Sequence, residues 1–124
     1  MIYLDTHVVV WLYAGDIAKL SERAQELINE NDVIISPIVR LELQYLFEIQ
    51  RITHEAKIIV SDLSDRIGLK ICEKNFNTVI SRSLDQYWTR DPFDRIIVAN
   101  AALNNNILIT KDQNMLNHYK KARW

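Results

Sequence analysis

Short apolar runs alternate with longer stretches of helical periodicity along the chain. Four runs rich in β-branched and aromatic residues predict strands, at residues 2–4, 33–36, 69–72 and 107–110. Apolar positions at helical spacing predict seven helices, at residues 7–13, 22–29, 37–50, 54–67, 76–87, 92–104 and 113–121. Because strands separated by helices need crossover connections, the pattern predicts a three-layer α/β/α sandwich with a mostly parallel central sheet.

Residues that favour helix ends support these assignments. Thr6, Ser21 and Thr53 each precede a predicted helix and are expected to accept backbone N–H groups as N-caps. Pro37 suits the first turn of the third helix, where its missing N–H has no partner to lose. Gly68 is expected to end the fourth helix in the left-handed conformation. In open parallel sheets ligands bind at the carboxyl ends of the strands, so functional residues are expected there.

Length and composition fit one globular unit. The 124 residues, 48% apolar and 25% charged, predict a single domain spanning residues 1–124. The apolar run at residues 8–14 is far shorter than the roughly 20 residues that cross a bilayer, and Asp5 interrupts any signal-peptide pattern before it. Cys72 is the only cysteine, which excludes an internal disulfide and a cysteine-based zinc site. We expect a soluble cytoplasmic protein in which Cys72 is a small buried hydrophobe.

The charge balance at first argues against a nucleic-acid partner. The chain has 15 Lys and Arg against 16 Asp and Glu, which gives a formal net charge of -1 and a pI of about 6.3. Proteins that bind phosphate backbones usually carry a basic excess. The positions of the acids change this interpretation.

Two acids stand at the predicted carboxyl ends of strands. Asp5 follows the first strand directly, and Asp112 follows the fourth strand by two residues. In a parallel sheet these ends lie at one edge, where a ligand would bind. An aspartate just after a strand is also a common turn or helix-capping residue, and that alternative stays open for both.

Glu42 lies in a helix with a clear polar stripe. At roughly 100° per residue, Arg40, Gln44, Glu48 and Arg51 fall within about 80° of one another and are expected to face water. Glu42 lies about 160° from the centre of that stripe, among apolar neighbours. A carboxylate on an apolar face costs several kcal/mol unless a cation or hydrogen bonds compensate it. Glu42 is therefore a candidate site residue, with a buried salt bridge to an arginine as the alternative.

A further pair of acids opens the sixth predicted helix. Asp91 directly precedes Pro92 at the first helical position, so it is either an N-cap or a site residue. Asp94 shares its helix face with the inward residues Ile97 and Val98. It lies near the positive end of the helix dipole, which favours its ionised form, and completing a capping-box-like turn is the alternative role.

Several acids in one cleft imply a cation. Two carboxylates about 4 Å apart repel by roughly 4 kcal/mol at an effective dielectric of 20, and several such pairs would exceed the stability of a small domain. A divalent cation resolves the conflict, and all-oxygen ligation without cysteine favours Mg²⁺ or Mn²⁺ over zinc. Such a site beside a phosphate is typical of metal-assisted phosphodiester chemistry.

Taken together, these motifs resemble the PIN domain, and most closely the VapC-type toxins of prokaryotic toxin–antitoxin pairs. The resemblance covers essentially the whole chain and rests on four segments, residues 4–6, 36–42, 91–103 and 108–112. It implies a PIN-like fold and a metal-dependent endoribonuclease that cuts RNA, leaves a 5′-phosphate and is silenced by a cognate antitoxin. Such an enzyme would inhibit growth until the antitoxin binds it.

The resemblance also assigns roles to individual residues. The acids that match the family's catalytic metal ligands are Asp5, Glu42, Asp94 and Asp112. Asp91 matches the first acid of the DPFDR variant of the motif and is a further candidate ligand. Thr6 and Thr110 match hydroxyl positions that hold water or orient carboxylates. The implied cofactor is Mg²⁺, or Mn²⁺ in its place.

Two other functions stay open. One is a catalytically inactive PIN-like module that binds RNA or protein without cutting, although the intact set of acids counts against it. The other is a phosphotransferase-type fold with Asp5 as the nucleophile. Such enzymes normally need a second acid two positions on, where this chain has His7.

Two surfaces are candidates for partners. The helix at residues 37–50 is apolar over more than half its circumference, which is more than one small core requires. We expect part of that surface, or of the helix at residues 76–87, to pack against a second copy in a homodimer or against an antitoxin segment. Tyr87 and Trp88 could stack on an unpaired base, with packing as the alternative.

The near-neutral charge is compatible with RNA once the site is considered separately. Setting aside the five candidate acids leaves 11 acids against 15 bases, so the rest of the chain carries about +4. The sequence therefore predicts an acidic pocket within a modestly basic surface, and a bound cation would favour RNA further.

Overall fold

A computed structural model describes all 124 residues of the chain, as five strands, seven α-helices and one short 3-10 helix at Ile17–Lys19. The strands are β1 (Ile2–Leu4), β2 (Val33–Ile35), β3 (Lys70–Ile71), β4 (Leu108–Ile109) and β5 (Ala122–Arg123). The helices are α1 (Thr6–Ala14), α2 (Glu22–Glu30), α3 (Pro37–Glu48), α4 (Ala56–Ile67), α5 (Phe76–Ser83), α6 (Pro92–Ala102) and α7 (Gln113–His118). None of these helices combines the length and the apolar character that a membrane crossing demands.

The five strands form one sheet in the order β3-β2-β1-β4-β5, and every pair in it is parallel. β1 lies at the centre, where Tyr3 is in register with Ile34 on one side and Leu108 on the other. All residues of β1, β2 and β4 are buried, as expected for a parallel sheet with helices on both faces. The predicted α/β class is confirmed, and the sheet is wholly parallel.

The fifth strand was not predicted from the sequence. The last helix was expected to continue to residue 121, but α7 ends at His118 and the chain then pairs with β4, with Ala122 opposite Leu108. Tyr119 directs this change, because it is 7% exposed and its hydroxyl donates to the Asn106 carbonyl at 2.6 Å. This burial and strand pairing outweigh the local helical pattern.

Several predicted helix ends need correction. Asp5, not Thr6, is the N-cap of α1, since its Oδ1 accepts the Thr6 N–H at 2.8 Å. Thr53 does not cap α4, which starts at Ala56 after Glu55 and has no side-chain cap. The helix predicted at residues 76–87 ends at Ser83, where the Ser83 hydroxyl donates back to a carbonyl of its own last turn and competes with continued helix.

Other predicted helix ends are confirmed. The Ser21 hydroxyl accepts the Ala24 N–H at 3.0 Å and begins α2. Pro37 occupies the first turn of α3. Gly68 ends α4 with a φ of 69°, in the left-handed region that a side chain disfavours.

Arg40, Glu48 and Arg51 are exposed as predicted, but α3 buries a narrower stripe than its periodicity predicts. Val39 and Leu43 are fully buried, whereas Leu41 and Tyr45 are 57% and 48% exposed. Gln44 was expected to face water, but it is half-buried because α4 packs there and the Ala56 N–H donates to its side chain at 3.2 Å. An apolar face of α3, with Leu41 and Tyr45, therefore lies outside the core of this chain.

A buried polar network joins the start of α3 to α6 and to the end of β3. The Ser36 hydroxyl donates to Oδ1 of Asn100, and both residues are 1% exposed. The Asn100 amide and the Tyr3 hydroxyl each donate to Cys72 Sγ at 3.2 Å. Cys72 is buried, as predicted, but it is a hydrogen-bond acceptor rather than a simple hydrophobe. The network fixes α3 relative to α6, the two helices that carry Glu42 and Asp94.

Replacing Asn100 tests this network. We expect Asn100→Ala to lower the free energy of unfolding by about 2–4 kcal/mol, because it removes two buried hydrogen bonds and leaves a void. Denaturant unfolding measures the change. Asn77→Ala, at an exposed site on α5, is the control and should stay within about 1 kcal/mol of the wild type. Equal stability of the two variants would contradict the assignment.

Candidate functional site

A cavity of about 370 Å³ lies at the edge of the sheet where the strands have their carboxyl ends. Asp5 follows β1 and Thr110 follows β4, so parallel pairing places both at this edge. The cavity is lined by Asp5, His7, Trp11, Glu42, Asp91, Asp94, Lys111 and Asp112. The structure thus brings together all five acids that the sequence analysis selected, from positions up to 107 residues apart in the chain.

Three of the five acids begin helices. Asp5 accepts the Thr6 N–H at 2.8 Å, Asp91 accepts the Asp94 N–H at 3.2 Å, and Asp112 accepts the Met115 N–H at 2.9 Å. These bonds are N-caps of α1, α6 and α7. The capping role and the place in the cavity therefore coexist, because each cap uses one carboxylate oxygen.

Two buried threonine hydroxyls hold two of the acids. Thr110 donates to Oδ2 of Asp5 at 2.7 Å and accepts the Asp112 N–H at 3.0 Å. Thr6 donates to Oε1 of Glu42 across the interface of α1 and α3. Both threonines are completely buried, so their hydroxyls cannot exchange these hydrogen bonds for bonds to bulk water. They fix the orientation of the Asp5 and Glu42 carboxylates.

The Asp94 carboxylate accepts no hydrogen bond from the chain. A capping-box arrangement would have the Asp94 side chain accept the Asp91 N–H, but that N–H donates to the Thr89 hydroxyl at 3.2 Å. Asp94 is half-buried in the first turn of α6. Both of its oxygens are therefore free to bind a ligand in the cavity.

No ion pair compensates these acids. The chain forms two salt bridges, Lys19–Asp16 and Arg66–Asp62, and neither lies in the cavity. Lys111 is the one Lys or Arg among the lining residues, and it forms no salt bridge. The buried salt bridge between Glu42 and an arginine, which was the alternative to a site role, is therefore absent.

Burial and mutual repulsion raise the pKa of Asp94 to about 7. Loss of water around the carboxylate is the largest cause, and the negative charges of the four other cavity acids add to it. Such a carboxylate is partly protonated near neutral pH unless a cation takes the place of the proton.

Burial also raises the pKa of Asp5 and of Glu42. The hydrogen bond from Thr110 and the one from Thr6 act in the opposite direction on Asp5 and Glu42 respectively, since each stabilises the ionised form. Proximity to His7 lowers the pKa of both acids as well. Desolvation nevertheless outweighs these effects, so both groups resist ionisation in a site without a cation.

The oxygen-rich lining suits a hard divalent cation. Five carboxylates face one cavity without cysteine, which is the donor set that Mg²⁺ and Mn²⁺ prefer. No three His, Cys, Asp or Glu side chains stand at the mutual distances of a ready-made metal cage. A cation that keeps several of its own waters fits such an open set of ligands.

Three lining residues were not selected by the sequence analysis as part of the site. His7 is exposed on the cavity wall, and Trp11 lies one helical turn beyond it. The spacing of four residues on α1, directly after Asp5, is the signal that predicts a shared face. Lys111 is adjacent to Asp112 and could have been found from that position alone.

The aromatic residues proposed for base stacking lie elsewhere. Trp88 is half-buried against the core and stacks on His118, with ring centroids 5.2 Å apart and planes within 4°. Tyr87 is 77% exposed, outside the cavity. Packing is therefore the observed role of Trp88.

The model of the PIN domain family matches residues 2–121. The chain therefore belongs to the PIN domain family, as its motifs indicated. Among curated protein sequences, none shows significant similarity to it.

Solved structures with the same fold include three from toxin–antitoxin systems. A toxin–antitoxin complex from Klebsiella pneumoniae is similar with a TM-score of 0.69 and 20% identity, over 100% of this chain and 97% of the other. VapBC2 from Rickettsia felis, bound to a promoter DNA fragment, is similar with a TM-score of 0.66 and 21% identity, over 94% of this chain and 92% of the other. DNA-bound VapBC from Salmonella typhimurium is similar with a TM-score of 0.65 and 17% identity, over 99% of this chain and 96% of the other. At these identities the similarity establishes a shared fold.

The raised carboxylate pKa values predict that the metal-free protein loses stability as the pH rises. An acid whose pKa is higher in the folded state stabilises the fold fully below its unfolded pKa near 4. That contribution is lost as the pH passes the folded value of about 7 for Asp94. In excess EDTA we expect the Tm to fall between about pH 5 and about pH 8.

Asp94→Asn should flatten this profile and raise the Tm at about pH 8 by about 3 °C or more. Asp65→Asn, at an exposed position on α4 outside the cavity, should follow the wild type. Differential scanning calorimetry measures all three proteins, and a wild-type Tm that rises over this pH range would refute the electrostatic assignment.

Proposed function

We propose that the chain is a VapC-type toxin, a metal-dependent endoribonuclease of a type II toxin–antitoxin pair. The observation that carries this proposal is the set of five carboxylates that line one cavity without an ion pair. A purely structural cluster of this kind would reduce stability, whereas a nuclease needs it to hold its cation.

Asp5, Glu42, Asp94 and Asp112 are the proposed ligands of Mg²⁺ or Mn²⁺, with Asp91 as a further ligand. A divalent cation there would lower the pKa of an attacking water and neutralise charge on the phosphate. Membership of the PIN family and the donor chemistry of the cavity support this assignment.

The chain's own residues then have distinct roles. Thr110 and Thr6 keep the Asp5 and Glu42 carboxylates oriented through hydrogen bonds. Asp94 has both oxygens free, so it can adjust to the ligand. Lys111 lines the same cavity and is positioned to pair with a phosphate of the RNA. We expect hydrolysis to leave a 5′-phosphate.

A phosphotransferase with Asp5 as its nucleophile is disfavoured by the geometry. Asp5 is only 7% exposed, and both of its carboxylate oxygens accept hydrogen bonds, from the Thr6 N–H and from the Thr110 hydroxyl. To reach a phosphorus atom, a carboxylate oxygen of Asp5 would have to leave its hydrogen bond and its buried position, whereas a cation can bind the remaining lone pairs in place. Asp5 is therefore assigned to cation binding.

The shared fold supports the proposed toxin role and an antitoxin as the protein partner. Similarity to chains of VapBC and toxin–antitoxin complexes over nearly the full length supports a cognate antitoxin as a protein partner. An enzyme that inhibits growth by cutting cellular RNA acts in the cytoplasm, and we place this chain there.

RNA cleavage tests the enzymatic proposal. We expect the purified protein to cleave susceptible RNA with Mg²⁺ or Mn²⁺, and excess EDTA to stop it. Asp94→Asn should lower kcat/KM by about 100-fold or more, because it removes a ligand without changing side-chain size. Asp65→Asn is the matched control and should retain wild-type activity.

Isothermal titration with Mn²⁺ distinguishes the enzyme from an inactive binding module. The wild type and Asp65→Asn should bind Mn²⁺, and Asp94→Asn should bind it about 10-fold or more weakly. RNA cleavage that persists in EDTA, or that is unchanged in Asp5→Asn, would refute the metal mechanism.

We also propose that the chain forms a homodimer through an apolar surface formed by α3 and α5. Leu41 of α3 and Phe76 of α5 are 57% and 66% exposed and line the same cavity of about 230 Å³, which joins the two faces. Tyr45 lies one turn beyond Leu41 on α3, Leu84 is the residue that ends α5, and both are exposed. Several large apolar side chains in one patch are typical of a protein interface.

Light scattering tests the dimer. The wild type at micromolar concentration should show twice the 14.6 kDa chain mass. The double variant Phe76→Glu, Leu84→Glu should be monomeric, because dimerisation would bury two unpaired charges from each chain in the interface. Ile17→Glu, at an exposed isoleucine of the 3-10 helix, is the control and should remain dimeric. A monomeric wild type would refute the interface.

A further inference from the structure

The rings of His7 and Trp11 line the acidic cavity, and the ring of Trp124 packs against that of Trp11. Trp11 lines the cavity together with the acids, and its ring centroid lies 5.9 Å from that of Trp124 and 6.2 Å from that of His7. The ring planes are tilted by 60° and 48°, respectively. Both tryptophans are only half-buried, and His7 is exposed. We call His7, Trp11 and Trp124 the aromatic wall.

The fold places this wall directly beside the carboxylates. His7 and Trp11 are four residues apart on α1, so they share a face of the helix that Asp5 caps. Trp124 follows β5, and parallel pairing of β5 with β4 brings it to the sheet edge that carries Thr110. Rings and acids therefore belong to one site.

Charge and shape together indicate what the wall binds. The cavity holds an acidic side suited to a cation and one cationic residue, Lys111. A nucleotide strand offers a phosphate for the cation and for lysine, and a flat base for an aromatic ring. The face of a base is accessible only when the base is unpaired, so the chemistry favours single-stranded RNA over a duplex.

We propose that Trp11, supported by Trp124 and His7, stacks on an unpaired base next to the phosphate bound at the acids. This inference rests on the proposed nuclease function, because it assigns the substrate contact of the same site. Stacking tolerates any base, so the wall selects unpaired nucleotides and not a particular sequence. Trp11 is thereby a specificity residue, and Trp124, whose ring packs against that of Trp11, is a positioning residue.

RNA binding without cleavage tests the wall. The probe is a fluorescein-labelled single-stranded RNA of about 12 nucleotides, and the protein is the Asp94→Asn variant saturated with Mn²⁺, read by fluorescence anisotropy. An RNA of the same length that is abasic at every position should bind about tenfold more weakly, because it offers no base for stacking at any register. Adding Trp11→Ala should weaken binding of the intact RNA about tenfold and abolish the difference between the intact and the abasic RNA.

Control variants separate stacking from general damage. Trp11→Phe keeps an aromatic face and should restore binding to within about threefold. Tyr87→Ala removes an exposed aromatic ring outside the cavity and should have no effect. Trp124→Ala provides a second variant, expected to weaken binding and to reduce the abasic effect, should Trp11→Ala fail to fold by calorimetry.

The outcomes also distinguish the wall from the nuclease. The stacking proposal is refuted, even when the wild type cleaves RNA, if Trp11→Ala binds RNA as tightly as its parent. It is also refuted if Trp11→Ala keeps the same difference in affinity between intact and abasic RNA. If the Asp94→Asn protein binds no RNA, the wall is refuted as well. If abasic sensitivity depends on Trp11 but the wild type cleaves nothing with Mn²⁺, the wall stands and the nuclease proposal fails.

Discussion

Repulsion among carboxylates at one edge of the sheet is the constraint on which the arrangement of this site depends. Asp5, Asp91 and Asp112 each stand at the start of a helix and accept a backbone N–H of its first turn. A helix N-terminus stabilises a nearby anion by about 0.3–1 kcal/mol, which is less than the roughly 4 kcal/mol repulsion of one close pair. Loss of water around the Asp94 carboxylate, and after it the charges of the other four acids, raise the pKa of Asp94 to about 7. The fold therefore tolerates the acids but leaves the cavity short of positive charge.

The supports around the acids are unequal, and this gives the site both rigid and adaptable parts. Buried threonine hydroxyls hold Asp5 and Glu42, whereas Asp94 accepts no hydrogen bond. The Ser36–Asn100 bond fixes the distance between the helices that carry Glu42 and Asp94. These side-chain hydrogen bonds thus preorganise Asp5 and Glu42, while the Asp94 carboxylate can adjust to the proposed cation.

The sequence predicted the fold class and the convergence of the five acids on one cavity because both depend on local patterns. Alternation of strands and helices implies parallel pairing, which brings Asp5 and Asp112 to one edge of the sheet, and the helical periodicity turns Glu42 and Asp94 inward. What the sequence missed depends on distant contacts. β5 forms because Tyr119 is buried against the Asn106 region, and Gln44 is covered because α4 packs on that side of α3. Trp11 differs, because its spacing from His7 on α1 is a local signal, whereas its contact with Trp124 at the other end of the chain is not.

The central position of β1 orders the assembly of the site in time. β1 pairs with β4, and Asp5 receives its hydrogen bond from Thr110, a residue 105 positions later. Asp5 thus lacks the hydrogen bond from Thr110 until nearly the whole chain has been synthesised. Asp112 reaches the cavity equally late, because it follows β4. Incomplete nascent chains cannot form the cavity. In the nuclease proposed above, this topology would delay the cleavage of RNA until translation of the protein is almost finished.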